Sequence, residues 1–166
     1  DSNGPRKLVR TEEGSVYEAG AVVLATGARH RLLGLPGEEE LIGSGVSFCA
    51  LCDGDFFAGQ EVAVAGGGNS ALMEALMLSD VCARVTIVQD LDHLTGEKSM
   101  QEALSARENV RILTGQRILG LLSEDGKLTG LRLKAARGET RLPVSGLFVA
   151  IGLIPDNEPF ADQAAL

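Results

Sequence analysis

Residues 47–57 read Ser47, Phe48, Cys49, Ala50, Leu51, Cys52, Asp53, Gly54, Asp55, Phe56, Phe57, and residues 61–71 read Glu61, Val62, Ala63, Val64, Ala65, Gly66, Gly67, Gly68, Asn69, Ser70, Ala71. A C-x-x-C pair therefore stands just ahead of a β-prone run that empties into a glycine-rich turn. A strand ending in G-x-G-x-x-A at the head of an apolar helical stretch has the form of a dinucleotide-binding turn. Gly66 would make the tight turn, Gly68 would let a pyrophosphate approach the backbone, and Ala71 would pack helix against strand. The helix start, with Gly67, Asn69 and Ser70, would offer free N–H groups and partial positive charge to phosphates.

Working outward, Asn69 to Ser79 reads as a helix that is apolar nearly all round, so it should be buried against a sheet with Met73 and Met77 as core filler. Arg84–Val88 supplies a second parallel strand, joined by a right-handed crossover. Ser99–Arg107 looks helical and Asn109–Leu113 is a third strand. From Gln116 the pattern changes to strands near 117–122, 128–135 and 139–142, with turns at Glu124-Asp125-Gly126 and Arg137-Gly138, a β-meander. Gly146–Ile151 returns as an apolar strand, ended by 152–157.

Upstream, residues 7–10 and 15–18 flank a hairpin signal at Thr11–Gly14. Ala21-Val22-Val23-Leu24-Ala25 is an unalternating apolar run, expected as a strand buried on both faces. Residues 29–46 read as a connector, with at most a helical turn at Glu38–Leu41. The fold class expected is α/β: a Rossmann-like nucleotide domain with a parallel sheet and an appended meander. The expected organisation is residues 1–29 as the tail of another domain, 30–156 as the nucleotide and C-x-x-C domain, and 157–166 as a return segment.

With 15 basic against 23 acidic residues the chain carries a net charge of −8. No basic run of five or more occurs, which argues against nucleic acid and anionic membrane as partners. No apolar run approaches the roughly 18 residues of a membrane span, and the N-terminus lacks signal-peptide order, so a soluble, cytoplasmic protein is expected. The absent initiator Met and the opening Asp1-Ser2-Asn3-Gly4 lead us to expect a piece of a longer chain.

Asp90, at the end of the second strand, lies near the roughly 20-residue offset at which an acid bonds a ribose 2′-hydroxyl. Gln89, Asp90, Leu91 and Asp92 offer no arginine to a 2′-phosphate, and two carboxylates would repel one. These residues favour NADH over NADPH; the alternative is that Asp90 and Asp92 are solvated loop acids.

Cys49 and Cys52 could be redox partners, half of a zinc site, or packed thiols. Zinc needs four ligands, and the remaining candidates, Cys82, His30 and His93, stand isolated, so no metal is expected. Cys82 reads as core. A C-x-x-C pair can close a disulfide and exchange with another, provided one sulfur leaves as thiolate while another attacks. A carboxylate at Asp53 would tend to raise a neighbouring thiol pKa, which suits a proton donor better than a thiolate stabiliser; a turn acid before Gly54 is the plainer alternative. Phe48, Phe56 and Phe57 could shield a cofactor-facing pocket or simply pack.

Taken together, Ala25-Thr26-Gly27-Ala28, Gly34-Leu35-Pro36-Gly37-Glu38, the Gly45–Gly54 run with its two cysteines, Val62–Asn69 and Gly146–Gly152 resemble the low-molecular-weight thioredoxin reductases, in order and over nearly the whole chain. The resemblance implies electron flow from a nicotinamide nucleotide to FAD, then to the Cys49–Cys52 disulfide, then to a thioredoxin-like protein. It also implies Asp53 as the acid, a nucleotide site that includes Ile151 and Gly152, rotation of this domain against a flavin domain, and a homodimer. The family's flavin-binding G-x-G-x-x-G and its Gly-Asp motif are missing, so a central fragment, inactive alone, is expected. NADPH-using members carry His-Arg-Arg and a later Arg where this chain has Gln89-Asp90-Leu91 and Thr95. That departure weighs against NADPH and points to NADH, or to a donor such as ferredoxin. Two other readings remain open. One is the flavoprotein subunit of alkyl hydroperoxide reductase, although its Cys-Pro-x-Cys fits less well. The other is a non-catalytic module, a degenerate nucleotide domain that docks a redox protein or senses a ligand.

Overall fold

The computed structural model describes residues 6–136 and 138–162. The chain divides into two units, one running up to Arg29 and resuming at Leu153, the other His30–Gly152. In the first unit, β1 (Lys7–Arg10) and β2 (Val16–Ala19) form an antiparallel hairpin with Lys7 opposite Ala19. A second two-stranded pair joins β3 (Ala28–His30) to Leu153–Pro155, the last strand of the chain.

Residues 21–27 are not a strand. They lie as exposed coil, with Val23 88 % exposed. An unalternating apolar run holds as a strand only when neighbours pair its edges and cover its faces, and here residues 21–25 are exposed.

The larger unit is built on a five-stranded sheet. Its strands are β4 (Val46–Ser47), β5 (Glu61–Ala65), β6 (Arg84–Val88), β7 (Val110–Leu113) and, later in the chain, Gly146–Val149. The pairings are parallel, and the last of these strands inserts between β4 and β5. Between β4 and β5 lies the one-turn helix α1 (Ala50–Asp53), followed by a 3₁₀ turn over Gly54–Phe57. Helix α2 (Asn69–Val81) crosses from β5 to β6, and α3 (Lys98–Ser105) from β6 to β7. The meander follows as β8 (Arg117–Glu124), β9 (Lys127–Ala135) and β10 (Gly138–Pro143), antiparallel throughout. The inserted strand is thus β11 and the terminal one β12.

The strand period of two explains the layering. Val62, Val64 and Phe148 point to one face and pack with Ala71, Leu72, Ala75 and Leu78 of α2 and with Leu104 of α3. Their neighbours Ala63, Ala65, Leu147 and Val149 point to the other face and pack with Ile118, Leu128, Leu131 and Leu133 of the meander. Because both faces are covered, β5 and β11 show no polar alternation. The side chains on β5 facing the meander are both alanine, which lets its larger leucines fill that layer.

Helix α2 departs from an apolar core helix in one respect. Met77 is half-buried, whereas Met73 is 52 % exposed and is not core filler. A helix between a sheet and solvent can bury only one stripe, and Ala71, Ala75 and Leu78 occupy it.

Candidate functional site

Strand β4 delivers the chain to the dithiol. Cys49 is extended (φ −149°, ψ 100°) and caps α1, its Sγ accepting the Cys52 N–H at 3.1 Å. One helical turn separates the two cysteines, their Cα atoms lie 5.3 Å apart, and their sulfurs form a disulfide. Cys52 is exposed and Cys49 half-buried.

Asp53 ends the same turn. Its Oδ2 accepts a hydrogen bond from the Ser47 hydroxyl at 2.6 Å, and the Ser47 oxygen in turn accepts the Cys49 N–H at 3.1 Å. Ser47 is buried, so this short chain ties the carboxylate to the backbone of the half-buried cysteine. A cavity of about 140 Å³ opens beside it, lined by Gly43, Gly45, Val46, Ser47, Asp53, Phe56 and Phe57.

The three phenylalanines do not form one shield. Phe48 stacks on His30 with centroids 4.9 Å apart, Phe57 sits edge-on to buried Phe148 at 5.5 Å, and Phe56 is 77 % exposed. Cys82 is buried, which pushes its thiol up from the ordinary value and keeps it an unreactive core residue. Among the described residues no group of three His, Cys, Asp or Glu side chains could hold a metal ion, and no helix is long and apolar enough to cross a membrane.

The second feature is an open groove of about 700 Å³ at the C-terminal ends of β5, β6 and β11, the position where open parallel sheets bind ligands. It brings together the sequence candidates Gly66, Gly67, Gly68, Asn69, Ser70, Asp90, Ile151 and Gly152. The glycines have different duties. Gly66 has φ +123°, and a Cβ there would lie 2.4 Å from the Ala150 carbonyl oxygen, so the backbone itself forbids a side chain. Gly68 has φ −86° and only Thr95 Oγ1 within 4 Å of its notional Cβ, at 3.8 Å, so it leaves unfilled room at the start of α2.

The loop after β6 closes over this turn. Thr95 and Gly96 donate their N–H groups to Gly67 O at 2.8 and 2.9 Å, and Glu97 N–H bonds Asn69 Oδ1 at 2.7 Å. Asn69 therefore braces the loop. Asp92 bonds His93 Nδ1 at 2.6 Å, and that hydrogen bond, with the charge of His93 second, holds its carboxyl below the ordinary value. It does not line the groove, so only one of the two expected carboxylates, Asp90, is on hand there.

Sequence reading missed Ser47, whose role is set by a contact to Asp53, and two groove arginines, Arg31 and Arg117. Arg31 and Arg117 lie far from the glycine motif along the chain, and only the pairing of the elements brings them in.

Residues 2–166 match the family model described as pyridine nucleotide-disulphide oxidoreductase. The chain is 44 % identical over 168 residues to a thioredoxin reductase of Streptomyces coelicolor, a match that covers all of this chain and 52 % of that protein. A thioredoxin reductase of Listeria monocytogenes is 39 % identical over 152 residues, covering 90 % of this chain and 48 % of the relative. Among solved structures, thioredoxin reductase of Lactococcus lactis superposes with a TM-score of 0.85 at 34 % identity, over 98 % of this chain and 54 % of that one. The chain thus spans about half the length of the relatives it matches. In keeping with its disulfide and its glycine-turn groove, the chain belongs to the pyridine nucleotide-disulphide oxidoreductase family and is similar within it to the thioredoxin reductases.

Proposed function

We propose that the protein to which this chain belongs is a flavin-dependent disulfide reductase that draws electrons from a pyridine nucleotide and passes them through Cys49 and Cys52 to a thioredoxin-like protein. The observation that carries this reading is the Cys49–Cys52 disulfide with Asp53 fixed beside it, in the same unit as a dinucleotide-type groove. The similarity to thioredoxin reductases supports the choice of substrate.

Two electrons and two protons convert the disulfide to two thiols, and FAD, as the bound carrier, would supply the electrons. One thiolate attacks the partner's disulfide, forms a mixed disulfide and expels the partner's first sulfur. The second thiol of the pair then loses its proton, attacks the mixed disulfide from within and releases the reduced partner, restoring Cys49–Cys52. Asp53, held by Ser47, moves the protons that these departures and attacks require.

In the groove, Gly66 to Ser70 would hold the pyrophosphate and Asp90 the adenosine ribose, which favours NADH over NADPH. Ile151 and Gly152 would border the nicotinamide end. Residues 30–156 would be the nucleotide and dithiol domain of a homodimer, and a cytoplasmic setting fits the chemistry, since a catalytic dithiol works in a reducing compartment.

Calorimetric titration at low ionic strength, where phosphate contacts are unscreened, tests the donor: NADH should bind more tightly than NADPH, and the reverse order would overturn the assignment of Asp90. Replacing either cysteine by serine should abolish thioredoxin reduction by the whole protein; retained turnover would refute the dithiol's role.

A further inference from the structure

The groove carries charge that the glycine motif does not announce. On a chain of net charge −8, its ionisable lining is Arg31, Arg117 and Asp90, two guanidinium groups against one carboxylate. Neither arginine is in an ion pair or a side-chain hydrogen bond among the described residues. An acidic protein that keeps two unpaired cations in one groove is furnished for an anionic ligand.

The two sit at opposite ends. The Arg31 N–H donates to Gly152 O at 3.0 Å, which fixes it at the β11 end. Arg117 opens β8, and the residues just before it are spliced onto the end of β6: Gly115 N–H donates to Leu91 O at 2.6 Å and Gln116 N–H to Gln89 O at 3.0 Å. Arg117 therefore comes to the same end of the groove as Asp90, with the glycine turn between it and Arg31.

We propose that Arg117 clamps the adenine of the bound dinucleotide, laying its guanidinium plane on the face of the base while Asp90 takes the ribose beside it. The clamp rests on the dinucleotide function proposed for this groove. A guanidinium can meet a phosphate or an aromatic face, and the neighbourhood decides between them. The Asp90 carboxylate lines the same end and disfavours a further phosphate there, whereas a neutral purine is indifferent to it and gains from a flat cation. The chain thus lacks the arginine run of 2′-phosphate readers yet keeps one cation at the adenosine end.

The test is calorimetric titration of the protein and of R117A and R117K with NADH, NADPH, ADP-ribose and reduced nicotinamide mononucleotide, which has no adenosine. Arg117 is exposed, and unchanged melting temperatures would show that both variants fold. R117A should weaken NADH and ADP-ribose alike by about tenfold and leave the mononucleotide untouched, and R117K, which keeps the charge and loses the plane, should not restore binding. Full rescue by lysine, or a loss confined to NADPH, would make Arg117 a phosphate contact and overturn the clamp. NADH binding undiminished in R117A would remove Arg117 alone; no NADH binding by the unsubstituted protein would remove the dinucleotide reading and the clamp with it.

Discussion

The Ser47 hydroxyl joins the backbone of one cysteine to the carboxylate beside the disulfide, accepting from Cys49 N–H and donating to Asp53. Without it the Asp53 side chain loses the hydrogen bond that holds it in the position proposed for the acid. S47A should therefore slow thioredoxin reduction by the whole protein about tenfold, and D53N by about a hundredfold, the range typical of a placed acid–base group; an S47A enzyme of normal rate would refute the positioning role. Glu74 on α2 is a residue of the opposite kind. It is half-buried, its Oε2 has no solvent contact and no hydrogen-bond partner, and burial pushes its carboxyl up from 4.5 to about 7. Between those values the folded protein holds a proton that the unfolded chain has released, so stability falls as pH rises through the window and stays reduced above it. E74Q should match the parent near pH 4 and exceed it at pH 8 by about 1–2 kcal/mol, the shift's full worth being reduced for partial exposure. Urea melts at the two pH values check this, and an equal difference at both would show that ionisation is not the cause. At this scale the sequence is legible only where partners are near neighbours. Cys49, Cys52 and Asp53 announce themselves by spacing; Glu74 depends on what the fold packs around it, and Arg117 on the backbone pairing that carries residues 115 and 116 to the end of β6.

Among the elements, the β5–turn–α2 unit has the clearest internal logic, because its glycines separate by what a side chain would meet: backbone at Gly66, open room at Gly68. G66A meets the Ala150 carbonyl at 2.4 Å in a left-handed backbone, and should cost roughly 2–4 kcal/mol of stability. G68A meets nothing closer than 3.8 Å; it should melt within about 1 kcal/mol of the parent yet bind NADH far more weakly, because its methyl occupies the space a pyrophosphate needs. Thermal melts beside titrations distinguish the two, and equal damage to folding by both would refute the division. Strand β9 of the meander alternates, with Leu128, Leu131 and Leu133 buried among exposed residues, whereas β5, β6 and β11 are readable from sequence because each apolar run has neighbours that bury it on both faces. The run Ala21–Ala25 carries the same signal and lies exposed, since a parallel strand is specified by its partners as much as by its own residues. The one-turn helix α1 has too few residues for any periodicity to show, and a helix that short is held by its surroundings, here the Cys49 cap and the packing of Ala50.

For the whole molecule, the unit His30–Gly152 has its own two-layered core and closes its own sheet. Expressed alone, residues 30–152 should unfold in one cooperative urea transition; a non-cooperative profile would show that the core depends on what flanks it. Its sheet also has an unusual order of completion. The strand that fills the middle, β11, is the last of the five in the chain, and it pairs Leu147 with Val46 on one side and Phe148 with Val64 on the other. Until residues 146–149 are in place, β4 and β5 are both open edges, and a nascent chain must wait for β11 to be made before they can close. Contacts between such distant segments make refolding slow and leave sticky intermediates exposed in the meantime. During synthesis, the interval between the emergence of β5 and that of β11 is the period in which this unit most needs a chaperone.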